Sequence, residues 1–171
     1  MYLFGHVGLT VAAVRAVDRE TDLRLPILLS MLPDIIDKPV AVLMPAVVHW
    51  NSRNFGHTLL GAAAVLAILL ANRRLANPLL LWSCYAGHLV LDRIWLNDGP
   101  AIFFWPFLGA FPRWSFDSPP TPYLFTYNIV GETIGLGILL SLARRHRLFG
   151  APRWRAFVRT GRLAPADRGL A

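Results

Sequence analysis

Long apolar runs alternate along the chain with short clusters of charged residues, most of them arginine. Three runs have about the length that carries a helix across a bilayer, roughly 20 residues. They are Phe55 to Asn72 and Leu75 to Leu91, which have no charged residue, and Pro119 to Ala143, in which Glu132 is the one charge. The pattern therefore predicts three membrane-spanning helices.

Two further apolar stretches precede these spans. Met1 to Val14 has no charge but is short, and Leu25 to Val48 is apolar apart from Asp34, Asp37 and Lys38. Four prolines in the second stretch favour two short helices over one, because proline removes a helical hydrogen bond. The predicted fold class is all-α: a polytopic membrane helix bundle with about three clear spans and one or two shorter N-terminal membrane segments.

The composition supports a membrane location. Of 171 residues, 55% are apolar and 16% are charged, whereas a typical soluble domain has about 25% charged residues. The single cysteine, Cys84, excludes a disulfide framework and a multi-cysteine zinc site.

The basic residues predict the orientation of the helices, because cytoplasmic loops carry an excess of lysine and arginine. If the first segment enters from outside and each later span alternates, 13 of the 17 basic residues fall inside. The other four, Lys38, Arg53, Arg93 and Arg113, fall outside. This predicts a multi-pass protein of the cytoplasmic (inner) membrane whose C-terminus is cytoplasmic.

The same orientation accounts for the net charge of +7. Arginines near anionic headgroups make membrane lipid the expected partner, and no nucleic-acid partner is expected.

We divide the chain into a membrane helical bundle, residues 1–147, and a basic cytoplasmic tail, residues 148–171. In the tail, Trp154 and Phe157 lie among arginines, which favours a short helix at the membrane interface.

An aromatic segment, Gly99 to Pro122, joins the second and third predicted spans. Aromatic side chains favour the headgroup level of a bilayer. We interpret this segment as an outer cap that lies on the membrane interface.

Seven ionisable residues lie within or at the ends of the apolar segments, where they are costly and usually mark function. They are His6, Asp34, Asp37, His57, His88, Asp92 and Glu132. The predicted topology places all of them except Glu132 in the outer half of the bundle.

The types and spacing of these six residues suit a metal ion. His88 and Asp92 are four apart, so they share a helix face, and Asp34 and Asp37 are three apart. Imidazole and carboxylate without thiolate suit zinc, manganese or iron. Each residue also has an ordinary explanation, such as a structural hydrogen bond between His88 and Asp92 or a helix cap at Asp34. We therefore predict a divalent metal site, most readily zinc, with these alternatives open.

The motifs resemble the YdjM-like family of predicted membrane-bound metal-dependent hydrolases. The matching pieces, in the family's order, are His6, LPDIIDKP (Leu32 to Pro39), RNFGHTLL (Arg53 to Leu60), GHLVLD (Gly87 to Asp92) and WPF (Trp105 to Phe107). The family often reads LPDID followed by His, whereas here one more residue separates the two aspartates and Lys38 follows. Which aspartate binds metal is therefore left open.

The order of the candidate ligands is also similar, at a distance, to that of zinc-dependent phospholipase C, in which helices hold a zinc cluster. This resemblance implies that the ligands are His6, Asp34 or Asp37, His57, His88 and Asp92. These candidate ligands outnumber the four of one tetrahedral zinc, so two ions that share Asp92 as a bridging carboxylate would use them better.

The expected function is hydrolysis of an ester or phosphoester in the outer half of the membrane, and this location favours a lipid-linked substrate. Asp34 or Asp37 would then act as general base or orient a histidine, and Arg53 would hold a phosphate. Glu132, with Asn128, would either bond to the ligands or join helices. Two alternatives are a non-enzymatic metal or proton transporter subunit or scaffold, and a haem protein with histidine ligands, against which the carboxylates argue.

Overall fold

The computed structural model describes residues 2–113 and 122–163, and all regular structure within these ranges is helical. The side chains of residues 122–124 lie outside the description, as do residues 114–121 of the predicted cap and third span and residues 164–171 of the tail. The helices are α1 (Leu3–Val17), α2 (Arg24–Leu43), α3 (Pro45–Val48), α4 (Leu59–Ala71), α5 (Pro78–Leu91), α6 (Gly99–Phe103), α7 (Pro122–Arg145) and α8 (Ala151–Thr160). A 3₁₀ turn, Phe55–His57, precedes α4.

The all-α class is confirmed, but three helices of spanning length are not found among the described residues. One helix is long and apolar enough to cross a membrane, the Phe125–Arg145 part of α7. The apolar helices α4 and α5 have 13 and 14 residues, which corresponds to about 20 Å. They start later than the apolar runs because Thr58 caps α4 and Asn77 caps α5, each through its side-chain oxygen.

The second N-terminal segment is broken at one of its four prolines. Helix α2 continues through Pro33 and Pro39 for 20 residues, and α3 begins at Pro45. The segment thus forms two helices, as the prolines predicted, but the first is long rather than short and the second begins at Pro45. Pro26 lies in the first turn, where no helical N–H bond is needed. Pro33 is fully buried under the turn that holds Gly56, so tertiary packing compensates for its lost bond.

Helices α1 and α7 run side by side in the same direction. Their backbones approach so closely at Gly8 and Gly135 that a Cβ on either glycine would overlap the other helix. The carboxylate of Glu132 accepts hydrogen bonds from the N–H groups of Phe4 and Gly5, at 2.9 and 2.8 Å. Glu132 therefore caps α1 and joins two helices, which is one of its two expected roles.

The remaining contacts give the bundle two different ends. Helix α2 packs against α1 and α5, and α4 packs against α5. At one end lie the start of α1, the start of α4 and the end of α5, where His6 and Asp92 meet at 3.1 Å. At the other end Arg15, near the end of α1, is close to Arg145 at the end of α7. The predicted metal ligands therefore lie at one end of the bundle, the ligand end, and the arginine clusters lie at the other, the arginine end.

Aromatic side chains cover the bundle near the ligand end. The rings of Trp105 and Phe111 stack at a centroid distance of 4.9 Å, and Phe55 meets both edge-on at 5.2 Å. The side chain of Asn51 donates to the carbonyl of Pro112 at 3.1 Å. The described part of the predicted cap is thus attached to the loop that leads to His57.

The C-terminal helix is attached to the arginine end. Phe157 packs against the core cluster around Val14 and Leu23, and Arg24 donates to the carbonyl of Arg159 at 2.9 Å. The guanidinium of Arg24 also binds the Asp22 carboxylate, which lowers the pKa of Asp22. The predicted helix in the tail is confirmed as a helix that contacts the bundle.

We predict that Gly135→Ala destabilises the protein. Its methyl group would overlap the backbone of Phe4 and Gly5, so α1 and α7 would have to separate. Overpacking of this kind costs about 1–3 kcal/mol, and thermal unfolding followed by circular dichroism in detergent measures it.

The matched control is Gly137→Ala on the same helix. A Cβ at Gly137 meets no atom of the described residues within 4 Å, and alanine forms helices better than glycine by about 1 kcal/mol. This variant should unfold at the wild-type temperature or above it. Equal midpoints for Gly135→Ala and wild type would contradict the close helix approach.

Candidate metal centre

Four side chains from three parts of the chain converge at the ligand end: Asp34 of α2, His57 of the 3₁₀ turn, and His88 and Asp92 at the end of α5. One nitrogen or oxygen atom from each lies within 4.8 Å of the corresponding atoms of the others. Both histidines are fully buried and Asp92 is 6% exposed. The prediction of an Asp/His site that could hold a metal ion is confirmed.

The separations of these atoms suit a single small cation. The Nε2 atoms of His57 and His88 are 3.3 Å apart, and Asp92 Oδ2 lies 3.5 and 4.0 Å from them. Asp34 Oδ1 lies 3.9 Å from His88 Nε2. Two atoms bound to one tetrahedral zinc at about 2.0–2.2 Å are roughly 3.3–3.6 Å apart, so small adjustments would complete such a site.

The hydrogen bonds of the two imidazoles direct both lone pairs into the cluster. His57 Nδ1 lies 2.6 Å from Asp37 Oδ2, and His88 Nδ1 lies 2.7 Å from the carbonyl oxygen of Ser30. Since a carboxylate and a carbonyl only accept, each Nδ1 carries a hydrogen, and in the neutral form of each ring Nε2 is left as an acceptor. Two facing acceptors at this distance repel unless a proton or a metal cation lies between them. The residues present therefore fit a divalent metal.

Asp37 organises the turn that carries His57. Besides His57 Nδ1, its carboxylate accepts from the N–H groups of Asn54 and Gly56, both at 2.6 Å, and of His57 at 3.2 Å. Its oxygens are thereby directed into this turn, and Asp37 is fully buried. Of the two aspartates that the sequence left as alternatives, Asp34 faces the cluster and Asp37 orients a histidine.

Sequence reasoning missed several residues that support this turn. Gly56 lies so close to Pro33 and Asp37 that a side chain there would displace one of them. The hydroxyl of Tyr85 donates to the Gly56 carbonyl, and Asn54 donates to the carbonyl of Asp37 at 3.1 Å. An available signal was the sequence Asn54-Phe55-Gly56-His57 directly before an apolar run, since asparagine and glycine together are typical of a turn.

His6 lies beside the cluster, in contact with two of its members. Its Nε2 is 3.1 Å from Asp92 Oδ1, and its ring stacks on that of His88 at 3.9 Å between centroids. Asp92 thus directs one oxygen towards His6 and the other towards His57 and His88. This arrangement makes Asp92 the carboxylate that connects all three histidines.

Two cations border the cluster on its more exposed side. Arg53 Nε lies 3.2 Å from Asp92 Oδ2, and the Arg53 side chain is 34% exposed. Lys38 Nζ lies 2.7 Å from Asp34 Oδ2 and is 62% exposed. Arg53 therefore extends from Asp92 in the cluster to the surface.

Glu132 is not in this cluster. Its carboxylate binds the N-terminus of α1, and the side-chain oxygen of Asn128 makes no hydrogen bond within the described residues. The expectation that this pair bonds to the metal ligands is not met.

A family model described as YdjM inner membrane protein matches residues 1–161. The chain belongs to the YdjM inner membrane protein family. No curated protein and no solved structure matches it. The family description specifies a membrane and no reaction.

We predict that Asp37→Asn lowers metal affinity by about 10–100-fold, the usual effect of losing a residue that orients a metal-binding histidine. An amide would place an NH₂ group against the N–H donors of the turn. Competition with a chelating dye measures the affinity, and circular dichroism checks that the variant is folded.

Asp98→Asn is the matched control, because Asp98 is exposed near the cap and should leave the affinity unchanged. Wild-type affinity in a folded Asp37→Asn variant would show that the orientation of His57 does not depend on Asp37.

Proposed function

We propose that this chain is a membrane-embedded, metal-dependent hydrolase of an ester or phosphoester. The observation that carries the proposal is the pair of buried Nε2 atoms of His57 and His88, 3.3 Å apart, beside the carboxylates of Asp34 and Asp92. A divalent metal, most readily zinc, would be its cofactor.

Three residues, His57, His88 and Asp92, would hold the metal, which is the number of protein ligands typical of a catalytic zinc. When bound there, the ion would lower the pKa of a coordinated water and polarise the ester or phosphoryl oxygen of a substrate. Asp34 faces the same space from the more exposed side and would accept a proton. Asp37 acts through His57 as a positioning residue, and His6 holds Asp92.

Arg53 would bind the substrate. Its guanidinium already contacts a carboxylate oxygen of Asp92 and is one-third exposed, so it can exchange or share that partner with an incoming anion. A guanidinium binds a phosphate through two parallel hydrogen bonds. This role predicts a preference for phosphoesters over uncharged carboxylic esters.

The proposed site would lie in the outer half of the inner membrane, in a multi-pass protein with a cytoplasmic C-terminus. The separation of arginines and ligands along the bundle supports this orientation, because arginine-rich ends favour the cytoplasmic side. The membrane then supplies a lipid-linked ester or phosphoester as the nearest substrate.

A non-enzymatic role as a metal or proton transporter subunit or scaffold is the alternative. A transport path would need polar side chains from the cluster to the arginine end. The core between them contains apolar residues such as Val11, Val14 and Leu81, which favours hydrolysis over transport.

We predict that the purified, zinc-loaded protein hydrolyses bis(p-nitrophenyl) phosphate, and that Asp34→Asn lowers kcat by about 10²–10⁴-fold through loss of the proton acceptor. Asp34→Asn should retain its metal, because three ligands remain. Release of p-nitrophenol measures turnover, and elemental analysis measures metal.

Arg53→Ala should raise KM for the phosphodiester and leave turnover of p-nitrophenyl acetate near the wild-type value. Arg113→Ala is its control, because Arg113 is exposed and follows Pro112, whose carbonyl accepts from Asn51. The diester is charged and membrane-impermeant, so turnover by intact spheroplasts also tests the outward orientation.

A zinc-loaded wild type that hydrolyses neither ester would refute the proposal.

A further inference from the structure

Two apolar cavities lie next to each other between α1, α5 and α7. The first, of about 320 Å³, is lined by α1 and α5, and the second, of about 370 Å³, by α7 with one residue each of α1 and α5. Both are lined by Leu9 and Leu91, so they adjoin at this pair of residues and together form a groove along the bundle. We call it the α1–α5–α7 groove.

This groove ends beside the metal cluster. Leu91 directly precedes Asp92, and Leu9 lies three residues after His6, on the same side of α1. The hydroxyl of Tyr127, which lines the second cavity, donates to the carbonyl of Leu91 at 2.8 Å. An apolar chain in the groove would therefore have one end within about one helical turn of the proposed ligands.

The groove is open to the outside of the bundle. Among its lining residues, Val17, Val90 and Val130 are 71%, 54% and 50% exposed. In a protein of an inner membrane family, the apolar molecules that meet such an opening are the acyl chains of lipids. The lining is almost entirely apolar, with Thr10 and Ser83 as exceptions in the first cavity.

We propose that the α1–α5–α7 groove binds the acyl chain of a membrane lipid and presents the ester or phosphoester group of that lipid to the metal cluster. The substrate class is then an acyl-chain lipid whose anionic headgroup lies near Arg53. The assignment of this lipid as substrate rests on the proposed hydrolase function, whereas the binding of its acyl chain does not.

Gly87 provides a way to close the groove without disturbing the fold. It lines the first cavity, and a Cβ at this position meets no atom of the described residues within 4 Å. Gly87→Leu therefore places a side chain in the groove itself. Gly137→Leu is the matched control, since Gly137 is also a helical glycine with open space around it and is not among the residues that line either cavity.

The test is photolabelling of the full chain in phosphatidylethanolamine/phosphatidylglycerol vesicles that contain a phospholipid with a diazirine in its acyl chain. Mass spectrometry of peptides locates the adducts. We expect them to concentrate on the groove, at residues such as Leu9, Cys84 and Leu91, several-fold above Ile68 on the outer face of α4, which is 68% exposed. Gly87→Leu should reduce the groove adducts several-fold, and Gly137→Leu should not.

Equal labelling of the groove and Ile68, or groove labelling unchanged in Gly87→Leu, would overturn the inference. A wild-type dimer that Gly87→Leu dissociates would also overturn it, because the groove would then bind a second copy. Photolabelling needs neither metal nor turnover. Groove adducts on a protein without hydrolase activity would refute the proposed function and leave the acyl site standing. Hydrolysis with even labelling would refute the acyl site and leave the proposed function standing.

Discussion

The hydrogen bond between Asp37 and His57 Nδ1 is the contact on which the site depends. The same carboxylate accepts from three backbone N–H groups of the turn, so the position of the turn and the orientation of the imidazole are set together. The Ser30 carbonyl orients His88 in the same way from α2. Both Nε2 atoms then face one buried space beside carboxylate oxygens, an arrangement that suits a bound cation.

The helix contacts of the bundle serve this arrangement. Helix α2 supplies Asp34, Asp37 and the Ser30 carbonyl, and it passes through two prolines without a break. Helix α1 is held to α7 by the glycine contact and the Glu132 cap, which keeps His6 against Asp92. Polar groups in an apolar bundle are costly unless they are paired. Here the Asp37 carboxylate and the Nδ1 atoms of His57 and His88 are paired with one another or with backbone groups.

The convergence of six ionisable residues could be predicted, because alternating apolar runs bring the two ends of successive helices to common levels. Their individual roles could not. Asp34 and Asp37 are separated by one helical turn, and only the fold of residues 51–57 over α2 determines which of them the backbone N–H groups meet. The pattern of apolar residues also could not predict how many helices have spanning length, because an apolar run such as Phe55 to Asn72 contains a turn and a cap as well as a helix. The attachment of Glu132 to α1 depends on the parallel packing of α1 and α7, for which the sequence holds only the signal of closely spaced glycines in α7.

The central claim is that His57 and His88 bind one metal ion through Nε2, together with carboxylate oxygen. X-ray absorption spectroscopy of the purified, zinc-loaded protein tests it most directly. We predict about one zinc per chain, with two imidazole nitrogens and oxygen ligands at about 2.0–2.2 Å and no sulfur, and one imidazole fewer in any zinc that His57→Ala retains. Wild type without stoichiometric metal, or a zinc shell that His57→Ala leaves unchanged, would contradict it.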